Sequence, residues 1–275
     1  MIGQIEEFWK NYSKTKSLNQ IAFIAKNLNN SQGFAFNENK LFYAASLIKL
    51  FWACQLVLQN PSFNQDQELE NHLANMLIHS SDEAGQKIVD FLIPIKNENI
   101  YEYEKAYLQR QKLEQFWHKY ENNYLKLKAS HKTFLHEYSS FDEWIKKYKS
   151  PNLISANLMA DLWQKIFFNQ FEPELEPENQ IKILNYLQRK PICKNLKPEE
   201  LNFQSSLIAF AAPAEAIIFS KAAWLNEALH ETAIINFKEH KWLIIFLTEL
   251  GEKQGINLIR NFSKFLWQLA GNKSI

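Results

Sequence analysis

Apolar residues at the start of the chain recur every three or four positions, as they do on one face of an amphipathic helix. This spacing predicts a helix over residues 2–14. Two short runs of β-type residues follow within residues 20–45, and the polar segment between them predicts a hairpin turn. The residues that carry these predictions are Ile2, Ile5, Phe8, Trp9 and Tyr12 for the helix, and Asn29, Asn30, Ser31 and Gly33 for the turn.

The last part of the chain returns to β-type patterning. Three runs, "AEAIIFSKAAWL", "ETAIINFKEH" and "KWLIIFLTEL", predict strands within residues 215–250, with a tight turn at Glu239 and His240. The final pattern, "GINLIRNFSKFLWQLAG", predicts an amphipathic helix over residues 256–270. The simplest arrangement is one antiparallel sheet built from both ends of the chain, with the two terminal helices on the same face.

The middle of the chain has helical periodicity. An apolar stretch around Ser46 and Lys49 predicts a helix that stops at Pro61, and the next pattern predicts one helix over about 68–93. Residues 97–149 are rich in aromatic and charged side chains, lack Pro and Gly, and predict a helical insertion. Beyond it, "SPNLISANLMADLWQKIF" predicts a helix begun near Ser155, "FEPELEPENQ" an acidic loop, and "IKILNYLQRK" a short helix.

These patterns predict an α+β fold in which residues 1–275 form a single unit. Residues 1–45 and 201–275 are predicted to form a sheet-containing subdomain, and residues 46–200 a helical subdomain with the insertion at about 97–149. A chain of 275 residues is long enough to bury a sizeable core.

The composition excludes several classes of protein. A net charge of +1 gives no electrostatic basis for nucleic-acid binding, and with 6 glycines the chain has no phosphate-binding loop motif. Cys54 and Cys193 are too few for a disulfide framework or a zinc site. His131 and His136 are five positions apart, which does not place them on one helix face. We therefore expect no cofactor and no metal.

No part of the sequence predicts insertion into a membrane. The start, "MIGQIEEFWK", has acidic residues where a signal peptide has a basic and then an apolar region. No uninterrupted apolar run approaches the ~18 residues of a membrane helix. We expect a soluble, cytoplasmic protein, or a periplasmic or secreted one if a presequence is removed.

Ser46 and Lys49 are the first candidates for chemistry. Residues three positions apart lie on one face of a helix, so the hydroxyl and the amine can touch. A serine becomes a good nucleophile when a base takes its proton, and a lysine with a lowered pKa can be that base. Taken alone, the same spacing more often means a surface serine and a lysine whose charged end reaches solvent.

Two further segments place this pair in a known order of motifs. "HSSDEAG" contains Ser81, Asp82 and Glu83, about 35 residues after Ser46, and "IIFSKAAWL" contains Lys221 in a predicted strand. The order resembles the S-x-x-K, S-D-N and K-T-G motifs of the penicillin-recognising serine hydrolases. The hairpin before "YAASLIK", the helix in "SANLMADLWQKIF", the C-terminal strands and the closing helix are similar to parts of class A β-lactamases. The resemblance implies a β-lactamase-like fold.

The resemblance also implies a role for each matched residue. Ser46 would be the nucleophile that forms an acyl-enzyme, Lys49 its proton acceptor, and Ser81 the relay of a proton to the leaving group. Lys221 would bind the carboxylate of the substrate. The backbone N–H groups of Ser46 and Trp224 would form the oxyanion hole. The implied substrate is a small molecule or peptide-like compound, such as a cell-wall peptide or a β-lactam.

Three positions depart from the family's motifs. Glu83 stands where S-D-N has its substrate-orienting amide, and we expect its carboxylate to pair with Lys49 and to raise the pKa of the amine. Ala222 and Ala223 replace the hydroxyl and the glycine of K-T-G. The family's deacylating motif, E-x-x-L-N, does not occur between residues 95 and 155, a range that contains Glu121, Glu137 and Glu143.

Two functions are compatible with the sequence. The first is a serine hydrolase that acts on an amide or ester through a Ser46 acyl-enzyme, with weak or absent β-lactam hydrolysis. The second is a noncatalytic protein of the same fold that binds a protein partner through the insertion at about 97–149. Ser46, Lys49, Ser81 and Lys221 favour the hydrolase, whereas the departures from the motifs favour the noncatalytic protein.

Overall fold

The computed structural model describes residues 1–14, 18–94, 103–118, 149, 151–190 and 206–271 of the chain. Most of the predicted insertion at 97–149 lies outside these ranges, as do Glu121, His131, His136, Glu137, Glu143 and Cys193. The chain groups into two compact units, one with Met1–Lys40, Ser155–Trp163 and Leu187–Ile275, the other with Leu41–Ile154 and Gln164–Tyr186. We name them the sheet unit and the helical unit. The subdomain bounds predicted from the sequence stay a prediction.

The described residues form eight α-helices and eight strands. The helices are α1 (Ile2–Ser13), α2 (Ile48–Gln59), α3 (Gln67–Ile78), α4 (Asp82–Leu92), α5 (Tyr103–His118), α6 (Ala156–Phe168), α7 (Pro177–Leu187) and α8 (Glu252–Gly271). The strands are β1 (Ile21–Asn27), β2 (Gly33–Phe36), β3 (Phe42–Tyr43), β4 (Leu153–Ile154), β5 (Gln188–Arg189), β6 (Ile217–Trp224), β7 (Leu229–Phe237) and β8 (His240–Thr248).

The sheet unit is built on a six-stranded sheet with the order β2-β1-β8-β7-β6-β5. Every pair of neighbouring strands is antiparallel. The first and last of the described strands are neighbours in it, because β1 pairs with β8 from Ile21 opposite Thr248 to Asn27 opposite Trp242. The predicted antiparallel sheet from residues 20–45 and 215–250 is confirmed.

The core of the sheet unit lies under α1 and α8. Side chains alternate between the faces of a strand, so Phe23 of β1 and Phe246 of β8, which are opposite each other, share a face. Trp9 of α1 packs against Phe23 with ring centroids 4.8 Å apart, and Phe262 of α8 packs against Phe23 at 5.1 Å. The two helices also contact each other, since Phe8 and Phe262 lie 5.4 Å apart. The prediction that both terminal helices pack on one face of the sheet is confirmed.

Two of the hairpin turns in this unit were predicted from the sequence. The first was predicted to include Gly33, but Gly33 already belongs to β2, opposite Lys26. Glycine is required there by a close approach, because a Cβ would lie 2.9 Å from the Ala25 carbonyl oxygen. The second turn was predicted at Glu239 and His240, but His240 already belongs to β8, opposite Phe237. The turn consists of Lys238 and Glu239 instead, and Lys238 reverses the chain with a left-handed φ of 55°.

A carboxylate is buried inside the sheet unit. Glu231 of β7 has no exposed surface, and it accepts hydrogen bonds from the Ser206 hydroxyl and from the Leu207 and Ile208 N–H groups. Burial raises the pKa of Glu231 to about 7, against the lowering effect of these donors and of Arg189. The charged residue was not singled out from the sequence.

The helical unit contains α2, which is buried along most of its length. Gln55 of α2 has no exposed surface, and within the described structure neither its amide nitrogen nor its amide oxygen has a hydrogen-bond partner. The helix ends at Gln59, before Pro61, as predicted. The helix predicted over about 68–93 is wrong as a single element, because α3 ends at Ile78 and α4 begins at Asp82. Ser80 interrupts it with a left-handed φ of 56°, which a continuous helix does not tolerate.

The residues at the starts of two later helices suit those positions. Ser155 accepts a hydrogen bond from the Leu158 N–H, and α6 follows it as predicted. The short helix predicted from "IKILNYLQRK" begins earlier, since α7 starts at Pro177 inside the predicted acidic loop. Proline suits this first helical position because its missing N–H would have no helical partner there.

Lys182 of α7 forms an ion pair with Glu70 of α3 at 2.8 Å, which joins the two helices.

Candidate active site

A strand, a tight turn and a helix hold Ser46 in the helical unit. β3 pairs with β4, and the Ala44 N–H donates to the Asn152 carbonyl oxygen at 2.9 Å. A 3₁₀ turn over Ala45–Leu47 follows, and α2 begins at Ile48. Ala45 has a left-handed φ of 43°, a strained conformation for a residue with a Cβ. Ser46 is therefore fixed at the entry to α2, half-buried.

Lys49 lies one turn further on and its side chain is fully buried. Its Nζ atom donates to the Ser46 hydroxyl at 3.3 Å, to the Ser80 carbonyl oxygen at 2.5 Å and to Asp82 Oδ1 at 2.5 Å. The Ser80 hydroxyl lies 3.5 Å from the same nitrogen. The sequence prediction that Ser46 and Lys49 touch is therefore met by the geometry. A buried ammonium is stable here because its three N–H donors have these oxygens as acceptors.

The segment between α3 and α4 supplies the partners of Lys49. The left-handed turn at Ser80 reverses the chain, and Ser81 then caps α4 by accepting from the Ala84 N–H at 3.1 Å. Asp82 follows as the first residue of α4. Gly85 lies beside the lysine, because a Cβ at this position would be 3.4 Å from Lys49 Cε.

Two opposing effects set the pKa of Lys49. Burial lowers the pKa and is the larger effect, whereas the charge and hydrogen bond of Asp82 raise it. The Asp82 side chain is 37% exposed, so solvent screens part of its charge, while the lysine is fully enclosed. The net result is a lysine that releases its proton more readily than a lysine in water. The sequence predicts that Glu83 pairs with Lys49 and raises its pKa. The pairing carboxylate is Asp82 instead, and the effect of burial outweighs it.

In the structure, the contacts with Lys49 that the sequence predicts for Ser81 and Glu83 are made by Ser80 and Asp82, one residue earlier in each case. The carboxylate on Lys49 belongs to Asp82, and Glu83 is exposed with no ion pair to Lys49 among the described residues. Successive residues of a helix point about 100° apart, so Asp82 and Glu83 cannot both face the lysine. Similarly, Ser80 contacts Lys49, whereas the Ser81 hydroxyl is used as the cap of α4. The sequence offered two adjacent serines, and only the backbone turn at Ser80 distinguishes them.

The remaining candidates lie in β6 of the sheet unit. Lys221 is buried, and its Nζ atom donates to the Ala222 carbonyl oxygen at 3.0 Å. Its own carbonyl oxygen accepts from the Thr232 hydroxyl at 3.2 Å, and that hydroxyl accepts from the Trp163 indole at 2.8 Å. Ala222 and Trp224 continue the strand. The roles of Lys221 and of the Trp224 N–H in a common site with Ser46 stay predictions.

The described residues also bear on metal binding and on membrane insertion. Over residues 1–14, 18–94, 103–118, 149, 151–190 and 206–271, no group of three His, Cys, Asp or Glu side chains is arranged to hold a metal ion. No helix in those same ranges combines the length and apolarity that crossing a membrane requires.

Comparison with known proteins agrees with the α+β class that the fold defines. The sequence model described as "Beta-lactamase enzyme family" matches residues 57–270. The chain belongs to this family. The matched range includes Ser80, Asp82 and Lys221 but begins after Ser46 and Lys49, so the assignment of that pair rests on its geometry. A search of curated proteins found no match.

Solved structures match nearly the whole chain. A class A β-lactamase from Mycobacterium abscessus has a TM-score of 0.64 at 11% identity, with 97% of this chain and 98% of that chain covered. A β-lactamase from Chitinophaga pinensis has a TM-score of 0.65 at 14% identity, covering 98% and 99%. The structure named PBP-A has a TM-score of 0.62 at 15% identity, covering 98% and 96%. At these identities the likeness shows the fold, and the β-lactamase-like fold class predicted from the sequence is confirmed.

Proposed function

We propose that the protein is a serine hydrolase that cleaves an amide or ester through an acyl-enzyme on Ser46. The observation that carries this proposal is the 3.3 Å contact between the Ser46 hydroxyl and the amine of the fully buried Lys49. A serine needs a base within hydrogen-bond reach, and burial favours the neutral form of the lysine. Membership of the family supports the same reaction class.

In the proposed reaction the Ser46 oxygen attacks the carbonyl carbon of the substrate while its proton passes to Lys49 Nζ. The C–N or C–O bond to the leaving group then breaks, and the leaving group takes the bonding electrons and a proton. Ser80 is the proposed relay for that proton, because its hydroxyl lies 3.5 Å from Lys49 Nζ. Water then cleaves the Ser46 ester, which releases a carboxylic acid and restores the serine hydroxyl.

The roles proposed for residues of the sheet unit come from the resemblance to class A β-lactamases. Lys221 is proposed to bind a carboxylate of the substrate. The N–H groups of Ser46 and Trp224 are proposed to stabilise the oxyanion, a role that depends on the backbone and not on the side chain. We further propose that β-lactam hydrolysis is weak or absent, since the K-T-G hydroxyl is missing at Ala222 and the E-x-x-L-N motif is missing between residues 95 and 155.

Active-site labelling tests the proposal. The native protein, Ser46→Ala and Lys49→Met are each incubated with a fluorescent β-lactam and with a fluorophosphonate, and the labelled peptide is identified by mass spectrometry. Ser13→Ala is the matched control, because Ser13 is an exposed serine at the end of α1. We expect labelling at residue 46 in the native and control proteins and none in Ser46→Ala. Folded native protein that neither probe labels would contradict the proposal.

The second candidate function is a noncatalytic protein that binds a partner. The observation that favours it is the 2.5 Å ion pair between Lys49 and Asp82, which opposes the neutral amine that acylation needs. This candidate requires that Ser46 stays unlabelled even after Asp82→Asn removes the ion pair. Labelling of Ser46 in either protein would contradict it.

A further inference from the structure

The Asp82 carboxylate is the accessible half of the Lys49–Asp82 pair. Its side chain is 37% exposed, whereas that of Lys49 has no exposed surface. One of its oxygens bonds the lysine, and carboxylate oxygens have further lone pairs for other donors. A ligand that reaches this pair from solvent therefore meets the carboxylate and not the amine.

This carboxylate lies next to the nucleophile. The Ser46 hydroxyl and Asp82 Oδ1 both bond Lys49 Nζ, at 3.3 Å and 2.5 Å. A single nitrogen atom thus separates the attacking oxygen from the carboxylate. A substrate whose carbonyl carbon is at Ser46 has the neighbouring atoms of its acyl group within reach of Asp82.

An ionised aspartate accepts hydrogen bonds and donates none. An acyl group with a carbonyl oxygen near Asp82 would place two acceptors together, which costs the desolvation of both. A protonated amine would instead form a charge-assisted hydrogen bond, which is roughly twice as strong as a neutral one. The amide of the family's S-D-N motif has an N–H donor at the corresponding place, and this chain has replaced it by an acceptor.

We propose, on the basis of the proposed hydrolase function, that Asp82 binds a protonated primary amine one carbon away from the scissile carbonyl. The substrates are then amides or esters of amino acids with a free α-amino group, and N-acylated compounds are poor substrates. Asp82 is in this view a specificity-determining residue of the Ser46 site.

Binding of such an amine also activates the base. Asp82 of α4 is a charged group that faces Lys49, and the 3₁₀ turn and the α3–α4 segment contribute the neutral Ser46 and Ser80. A substrate ammonium shares the Asp82 carboxylate with Lys49 and adds a second positive charge beside it. Both effects favour loss of the Lys49 proton to solvent, which leaves the neutral amine that accepts the proton of Ser46.

Paired substrates test this inference. Alanine p-nitroanilide and N-acetylalanine p-nitroanilide, each in both configurations, are compared by kcat/KM for the native protein and Asp82→Asn. We expect the native protein to prefer the free amine by about tenfold or more, the factor of one charge-assisted hydrogen bond. Asp82→Asn should lose or reverse the preference. Glu83→Gln removes a charge one residue away, and the preference should persist in it.

A binding measurement separates this inference from the hydrolase proposal. The Ser46→Ala protein is titrated with alaninamide and with N-acetylalaninamide and followed by NMR, with and without Asp82→Asn. We expect tighter binding of alaninamide that depends on Asp82. Such binding without turnover in the native protein would leave the inference standing while the hydrolase proposal fails. Equal affinity for the two compounds, including no binding of either, would overturn the inference.

Discussion

The Lys49 ammonium lies between the Ser46 hydroxyl and the Asp82 carboxylate, 3.3 Å from one and 2.5 Å from the other. The two oxygens compete for the protons of the same nitrogen. A stronger ion pair with Asp82 keeps the lysine charged. A weaker ion pair favours the neutral lysine, which can accept the Ser46 proton. The reactivity of Ser46 should therefore respond to any change at Asp82.

Asp82→Asn should make Ser46 react faster with a neutral acylating probe near neutral pH. The substitution removes the carboxylate that raises the pKa of Lys49, and the lowering effect of burial remains. The acid limb of the pH–rate profile should move to lower pH, with about a tenfold gain in rate on that limb for each unit. The measurement is a labelling time course at several pH values. An acid limb that stays in place would contradict the role given to Asp82.

Removing the hydroxyl of Ser80 should slow acylation more than removing that of Ser81. Ser80→Gly deletes the hydroxyl near Lys49 and tolerates the left-handed φ, so we expect a fall of about 10²-fold in the labelling rate. Ser81→Ala deletes the cap of α4 and should lower the free energy of unfolding by about 0.5–2 kcal/mol. Ser81→Asp keeps a capping oxygen and is the control. A larger rate loss in Ser81→Ala, with the fold intact, would restore Ser81 as the relay.

Stability should fall as the pH rises because of Glu231. Burial raises its pKa from 4.5 to about 7, so in this range the folded protein holds a proton that the unfolded chain has released. This contribution to stability is complete below pH 4.5 and is lost as the pH rises through about 7, a change of up to about 3 kcal/mol. Urea unfolding across this range should show the decline in the native protein and a flatter profile in Glu231→Gln. A native profile that rises through the window would refute this account.

Gln55→Met should stabilise the protein by about 1–3 kcal/mol. The amide of Gln55 is fully buried and has no hydrogen-bond partner within the described structure, so a thioether of similar length removes an uncompensated cost. Gln180→Met is the control, because the Gln180 amide donates to the Ile166 and Phe167 carbonyls at 2.9 Å and 3.1 Å. That substitution should destabilise. Thermal unfolding of both variants distinguishes them, and a loss of stability in Gln55→Met would show that the amide is satisfied in solution.

Periodicity predicted most of the fold because the side chains that fill the core of the sheet unit repeat along the helices and strands. Ile5 and Trp9 of α1 are one turn apart, and both are buried. The break between α3 and α4 escaped prediction because the apolar pattern continues through it while a single φ at Ser80 reverses the chain. Glu231 escaped for a related reason: a charged residue in an apolar run suggests exposure, and its donors at 206–208 are close only in the folded chain.

In the candidate site, the Ser46–Lys49 contact was predictable because residues three positions apart lie on the same face of a helix. The choice between Ser80 and Ser81, and between Asp82 and Glu83, depends on where α4 begins. Capping decides that point, and two adjacent serines offer two possible caps. A shift of one residue then changes which carboxylate faces the lysine.

The pairing of β1 with β8 has a consequence for synthesis of the chain on the ribosome. β1 ends at Asn27, but the strand that covers its inner edge is not complete until Thr248. Until β8 is made, the hairpin of β1 and β2 therefore has an apolar strand with an open edge, the kind of surface on which nascent chains aggregate. The sheet closes only when the last strands emerge, so contacts between residues far apart in sequence should make its formation slow. Molecular chaperones that shield such edges would be needed longest at β1, the strand of this sheet that is made before the others.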